Sequence, residues 1–85
     1  MNFRIEEKQA AMEKLRETFT TDEQTTAFYD FDGYRIEFSD WWFNVRPSNT
    51  EPYLRLVAEA RDQALLAEKL EALKKVLSGF GEAEI

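Results

Sequence analysis

Cysteine and histidine are both missing from this 85-residue chain. Their absence excludes disulfide staples, nearly every zinc site and the Cys/His arrangements used for nucleophilic catalysis. A cysteine-free chain fits a reducing compartment, and a cytoplasmic location is expected. Proline occurs twice and glycine three times, and no repeat, linker or low-complexity tract interrupts the sequence. No apolar run approaches the roughly 18 residues needed to span a bilayer. Met1 to Ile5 also lacks the charged and apolar regions of a signal peptide. Basic residues are the minority, 11 against 17 acidic, for a formal net charge of −6. That balance repels nucleic acid and anionic membrane, so neither is an expected partner. Any anion must be held by a local concentration of donors.

What the chain does have is apolar mass: 44% hydrophobic and 14% aromatic residues, enough for a packed fold rather than a disordered one. The length fits one domain, residues 1–85, of a size that buries only about 60–65% of its unfolded surface and is marginally stable. Structured-looking sequence begins almost at Met1, the pattern expected of a domain cut from a longer chain.

Asn2 to Ile5 alternates polar and apolar, as a short edge strand would. From Glu7 to Phe19, residues Ala11, Met12, Leu15 and Phe19 recur at helical spacing, and Thr20-Thr21 breaks the pattern. Thr25 to Phe31 is rich in threonine and aromatics, as strands are. Asp32-Gly33 is a hairpin turn signal. In Tyr34 to Phe38, residues Tyr34, Ile36 and Phe38 alternate with Arg35 and Glu37, so one face is buried. Ser39-Asp40 turns the chain into Trp41 to Arg46, with Trp41, Phe43 and Val45 on one face and Trp42, Asn44 and Arg46 on the other. Tyr53 to Ala60 predicts a further strand. The last element has Asp62 as N-cap, a stripe of Leu66, Leu70, Leu73 and Leu77, and Lys74 and Lys75 at the negative end of the dipole. Gly79 supplies its stop, and Phe80 to Ile85 is expected to fray. The fold class is therefore α+β: an antiparallel sheet of about four strands with two helices packed on one face.

One loop carries candidate chemistry. Arg46 ends a strand, Arg55 lies early in the next, and Pro47-Ser48-Asn49-Thr50-Glu51-Pro52 connects them. Arginine presents a planar, permanently charged fork that matches phosphate oxygens. Ser48 and Thr50 add hydroxyl donors. Asn49 adds an amide and tolerates a left-handed backbone that turns N–H groups inward. The prolines restrict the loop before anything binds. On residue types alone, two readings stand: a simple turn, or an anion-binding loop.

The run Asp32-Gly33-Tyr34-Arg35-Ile36, the tryptophan strand, Arg46-Pro47-Ser48-Asn49-Thr50-Glu51-Pro52-Tyr53-Leu54-Arg55 and then Glu59-Ala60 resembles the last domain of the α-D-phosphohexomutases, the phosphomannomutases and phosphoglucomutases. The similarity extends from Asn2-Phe3-Arg4 to the final helix. It implies a TATA-binding-protein-like fold and a four-domain parent that interconverts 1-phospho and 6-phospho sugars. In that parent a first-domain phosphoserine donates the phosphoryl group, Mg²⁺ sits on the second domain, and a loop of the third reads the sugar. The fourth domain clamps the phosphate that is not reacting. By position, the resemblance makes Arg46, Ser48, Asn49 and Thr50 the phosphate ligands, with Arg55 and Glu51 supporting. Asn49, where some relatives have Gly, aligns the loop with the phosphomannomutase/phosphoglucomutase branch rather than the phosphoglucosamine mutases. The implied partners are glucose or mannose phosphates and the other domains of the parent chain. This domain needs no cofactor or metal of its own. Because the serine, metal and sugar loops are missing from the sequence, the chain alone is expected to be inactive.

Other features have plainer accounts. Trp41 and Trp42 point to opposite faces, so at least one is core, and the other is a candidate sugar-stacking platform. Asp30 and Asp32 fit a hairpin better than a metal site, with no third ligand nearby. Glu51, between Thr50 and Pro52, suits a structural acceptor for loop N–H groups or an arginine. A stand-alone phosphate- or partner-binding module reusing the fold is the competing reading. A nucleic-acid binder lacks the basic face it would need.

Overall fold

The computed structural model describes residues 1–84 and runs β1 (Asn2–Arg4), α1 (Lys8–Asp22), β2 (Ala27–Asp30), β3 (Tyr34–Glu37), β4 (Trp41–Pro47), β5 (Tyr53–Ala60), α2 (Gln63–Leu77) and β6 (Glu82–Glu84). The strands expected from alternation pair as antiparallel neighbours in the order β2-β3-β4-β5, and β1 and β6 extend the sheet to six. Alternation has the predicted consequence. Tyr34, Ile36, Phe38, Trp41, Phe43 and Val45 are buried, and Arg35, Glu37, Trp42, Asn44 and Arg46 lie on the opposite face. Leu54 and Leu56 of β5 and Phe3 of β1 join the buried side.

Both helices cover that side. Ala11, Met12, Leu15 and Phe19 of α1 are all buried, as their spacing predicts. Phe19 sets its edge against the rings of Trp41 and Phe43, with centroids 5.6 Å away in each case. In α2 the deepest residues are Leu73 and Leu77; Leu70 is half-buried against the core. Leu66 does not belong to the core cluster, and Leu65 packs there instead. Glu23, just past α1, accepts from the Trp41 indole N–H at 3.1–3.2 Å and from Lys69 Nζ at 3.1 Å, which ties both helices over the start of β4.

Four local expectations need correction. Thr20 and Thr21 do not break α1, which runs on to Asp22; their hydroxyls donate back to the carbonyls of Arg16 (2.6 Å) and Glu17 (2.7 Å). The first strand is not an edge: β1 sits between β5 and β6, with Phe3 opposite Leu54 on one side and Ala83 on the other. α2 does end just before Gly79, but without a left-handed glycine cap: Ser78 is right-handed, and among the described residues positive φ occurs at Asp32 and Gly33. Instead α2 closes through tight turns, Gly79 N–H to Val76 O and Phe80 N–H to Leu77 O. Residues 82–84 do not fray but return as β6; Ile85 lies outside the described residues. The return depends on Gly81, where any Cβ would collide with the Arg4 carbonyl.

Candidate anion-binding loop

The helices leave one face of the sheet uncovered, and the β4–β5 connection opens at its end. Arg46 and Arg55 stand directly opposite one another in the β4–β5 register, both on the open face and both exposed. Like charges in such a cross-strand pair destabilise a sheet. Among the described residues neither guanidinium has an ion-pair partner. With Asn2, Pro47, Ser48, Asn49, Glu51 and Tyr53 they line a concavity of about 420 Å³, within the roughly 300–1,000 Å³ typical of small-molecule sites. Arg46 and Asn49 also line a second hollow, beside Asp30, Asp32 and Tyr34.

The loop is held from several sides. Ser48 N–H donates to Tyr53 O at 2.9 Å, and Tyr53 N–H donates to Glu51 O at 2.8 Å. Thr50 N–H reaches the Ser48 hydroxyl oxygen at a long 3.4 Å, which leaves the hydroxyl proton free to donate elsewhere. From beneath, Ile5 N–H donates to Pro52 O at 2.7 Å. Lys8, at the first position of α1, donates from Nζ to Ser48 O (2.8 Å) and Glu51 O (3.0 Å).

The β2–β3 turn braces the base of Arg46. Asp32 (φ 56°) and Gly33 (φ 136°) carry the hairpin in positive φ, as the Asp-Gly signal predicts. A Cβ on Gly33 would stand 2.8 Å from both Cα and Cβ of Arg46, so only glycine lets the turn approach so closely. Below it, Tyr34 donates its hydroxyl to the Glu13 carboxylate and accepts from Gln9 Nε2 at 3.0 Å. The bond to Glu13, then burial, pushes the Tyr34 phenol up.

Of the residues predicted from sequence, Arg46, Ser48, Asn49, Arg55 and Glu51 line the same concavity. Thr50 is exposed at the tip and lines neither hollow. Among the described residues the Glu51 carboxylate accepts no hydrogen bond; its main-chain carbonyl is the acceptor, from Lys8 and Tyr53. The Arg35 guanidinium lies 4.0 Å over the Trp42 ring and pairs with Glu37 at 2.8 Å, so one face of that ring is already taken. Sequence reasoning missed Lys8. Its only sequence signal is a cation in a helix's first turn, where the dipole disfavours it. Chemically, a pair of forked cations, a hydroxyl and a side-chain amide converge on a space able to take an oxyanion.

Fold and loop together define a class: a two-helix, antiparallel-sheet domain with an arginine-flanked connection at one end of its open face. The family described as "Phosphoglucomutase/phosphomannomutase, C-terminal domain" matches residues 1–76. The chain belongs to that family. It is 40% identical over 78 residues to a phosphomannomutase of Methanocaldococcus jannaschii, covering 92% of this chain and 16% of that protein. A probable phosphoglucosamine mutase of Thermococcus gammatolerans is 38% identical over 72 residues, covering 85% of this chain and 16% of the relative. Among solved structures, a phosphoglucomutase/phosphomannomutase family protein of Burkholderia thailandensis superposes with a TM-score of 0.61 at 26% identity, covering 93% of this chain and 17% of that one. The chain thus spans about a sixth of the length of the relatives it matches. Relatives with different sugar names match at nearly equal identity, so similarity over this domain does not sort them by sugar.

Proposed function

We propose that this chain is the substrate-phosphate-binding domain of a phosphomannomutase/phosphoglucomutase, gripping the non-reacting phosphate of a phosphohexose while the other end exchanges its phosphoryl group. The observation that carries the reading is the cross-strand pair Arg46–Arg55, like charges held opposite each other without carboxylate partners among the described residues. A dianion between them turns a repulsion into two charge-assisted contacts. Ser48 and Asn49 add donors from the loop, and Thr50 closes from the tip when ligand is present.

Such a grip suits an enzyme whose substrate must present each end in turn. Arginine, hydroxyl and amide donors read phosphate and ignore the sugar, so one loop serves the 1-phosphate and the 6-phosphate alike. Binding energy at this remote group positions the reacting end. Each charge-assisted bond contributes about 1.5–3 kcal/mol, and the losses on association leave a weak, quickly reversible site. Reversibility is what reorientation of a bisphosphorylated intermediate requires. Mg²⁺ serves the phosphoryl transfer on another domain. The described residues of this chain bring together no group of three or more Asp, Glu, His or Cys side chains that would hold it.

The test is Arg46→Ala, followed by amide-resolved titration with glucose 1-phosphate. Apparent affinity should fall about 10- to 100-fold while the core signals stay in place. An unchanged phosphate response would overturn the assignment.

A further inference from the structure

We infer that Lys8 is a positioning residue for this loop: it fixes the Ser48–Asn49 peptide so that the Asn49 N–H is offered to the bound anion. The inference rests on the phosphate-binding reading above and assigns that site a residue outside its motif. Lys8 lies 40 residues before Ser48 and 43 before Glu51, yet its ammonium donates to the main-chain carbonyls of both, at 2.8 and 3.0 Å. It therefore spans the loop from stem to stem.

The consequence follows from peptide geometry. No peptide bond in the described chain is cis, and in a planar trans peptide the C=O and the following N–H point in opposite directions. Drawing the Ser48 carbonyl down to Lys8 therefore turns the Asn49 N–H away from Lys8. That N–H has no partner within the described residues, whereas Ser48 N–H is taken by Tyr53 O and Thr50 N–H by the Ser48 hydroxyl. Asn49 itself borders both hollows beside Arg46. A lysine at the first position of α1 works against the helix dipole, and its two carbonyl contacts give it a reason to be there. Without it, the 48–49 peptide is free to rotate and put a carbonyl, rather than an N–H, toward the anion.

The experiment compares the chain with Lys8→Met, which keeps the stem and loses the donors, and Lys8→Arg, which keeps donors and charge. Residual dipolar couplings without ligand report the direction of the Asn49 N–H vector. Titration with inorganic phosphate reports its response. Lys8→Met should reorient that vector and weaken the Asn49 response about tenfold, while core couplings stay put and Lys8→Arg restores much of both. An Asn49 vector unchanged in Lys8→Met overturns the inference, whatever phosphate does. If the unsubstituted chain shows no phosphate response at residues 46–55, the functional reading fails instead, and the couplings still decide whether Lys8 orients the peptide.

Discussion

Gly33 is the residue on which the loop's geometry turns, although it lies outside the loop. Its φ of 136° and its approach to Arg46 leave no place for a side chain. Gly33→Ala should destabilise the chain by about 1–3 kcal/mol in chemical denaturation and displace the amide signals of Val45 and Arg46. A variant as stable as the parent would show that the turn can move away. Arg55→Ala, by contrast, relieves the repulsion between opposed guanidiniums. It should leave stability unchanged or slightly raised while weakening phosphate response, and a clear loss of stability would mean that Arg55 has a structural role. The Asp-Gly signal and the arginines were legible because their chemistry is local. Lys8 was not, since its function depends on two carbonyls more than forty and exactly forty residues away being folded over it.

Among the elements, α2 depends on both its cap and its buried stripe. Asp62 accepts from Leu65 N–H at 2.9 Å, and that bond holds its carboxyl below the usual range. The capping contribution is therefore full above the ordinary carboxylate value, about 4, and is lost as pH falls through the depressed folded value. Asp62→Ala should lower the thermal midpoint at neutral pH, and its deficit should shrink as samples are acidified below about pH 4; a deficit independent of pH would mean the cap acts otherwise. Leu73→Ala, at a position with no exposure, should cost about 2–5 kcal/mol. The long elements were readable because period-two and helical patterns extend over several residues in Tyr34–Phe38, Trp41–Arg46 and Ala11–Phe19. β6 was not, because Glu82-Ala83-Glu84 is short and has no β-branched or aromatic residue to mark a strand; it pairs with the free flank of β1. Thr20 and Thr21 misled for a related reason: their hydroxyls serve turn or helix equally, and only the packed neighbours choose.

At the scale of the whole molecule, the sheet has two unlike faces. One carries the core and both helices; the other presents the arginine pair at one end and the Arg35–Trp42 stack further along β4. Four of the eleven basic residues, Arg4, Lys8, Arg46 and Arg55, gather around the loop end of a molecule whose net charge is −6. Phosphate binding should therefore weaken steeply with added salt, since exposed charges are screened. The chain should show no phosphohexose mutase turnover with or without Mg²⁺, as expected for a part spanning about a sixth of its relatives. Whether the loop grips phosphate is decided by an amide shift titration of the chain with glucose 1-phosphate and mannose 1-phosphate, against free glucose. Shifts confined to residues 46–55, and produced by both phosphorylated sugars but not by glucose, are the predicted result. Equal shifts with free glucose, or shifts on the Arg35–Trp42 stack in place of the loop, would contradict it.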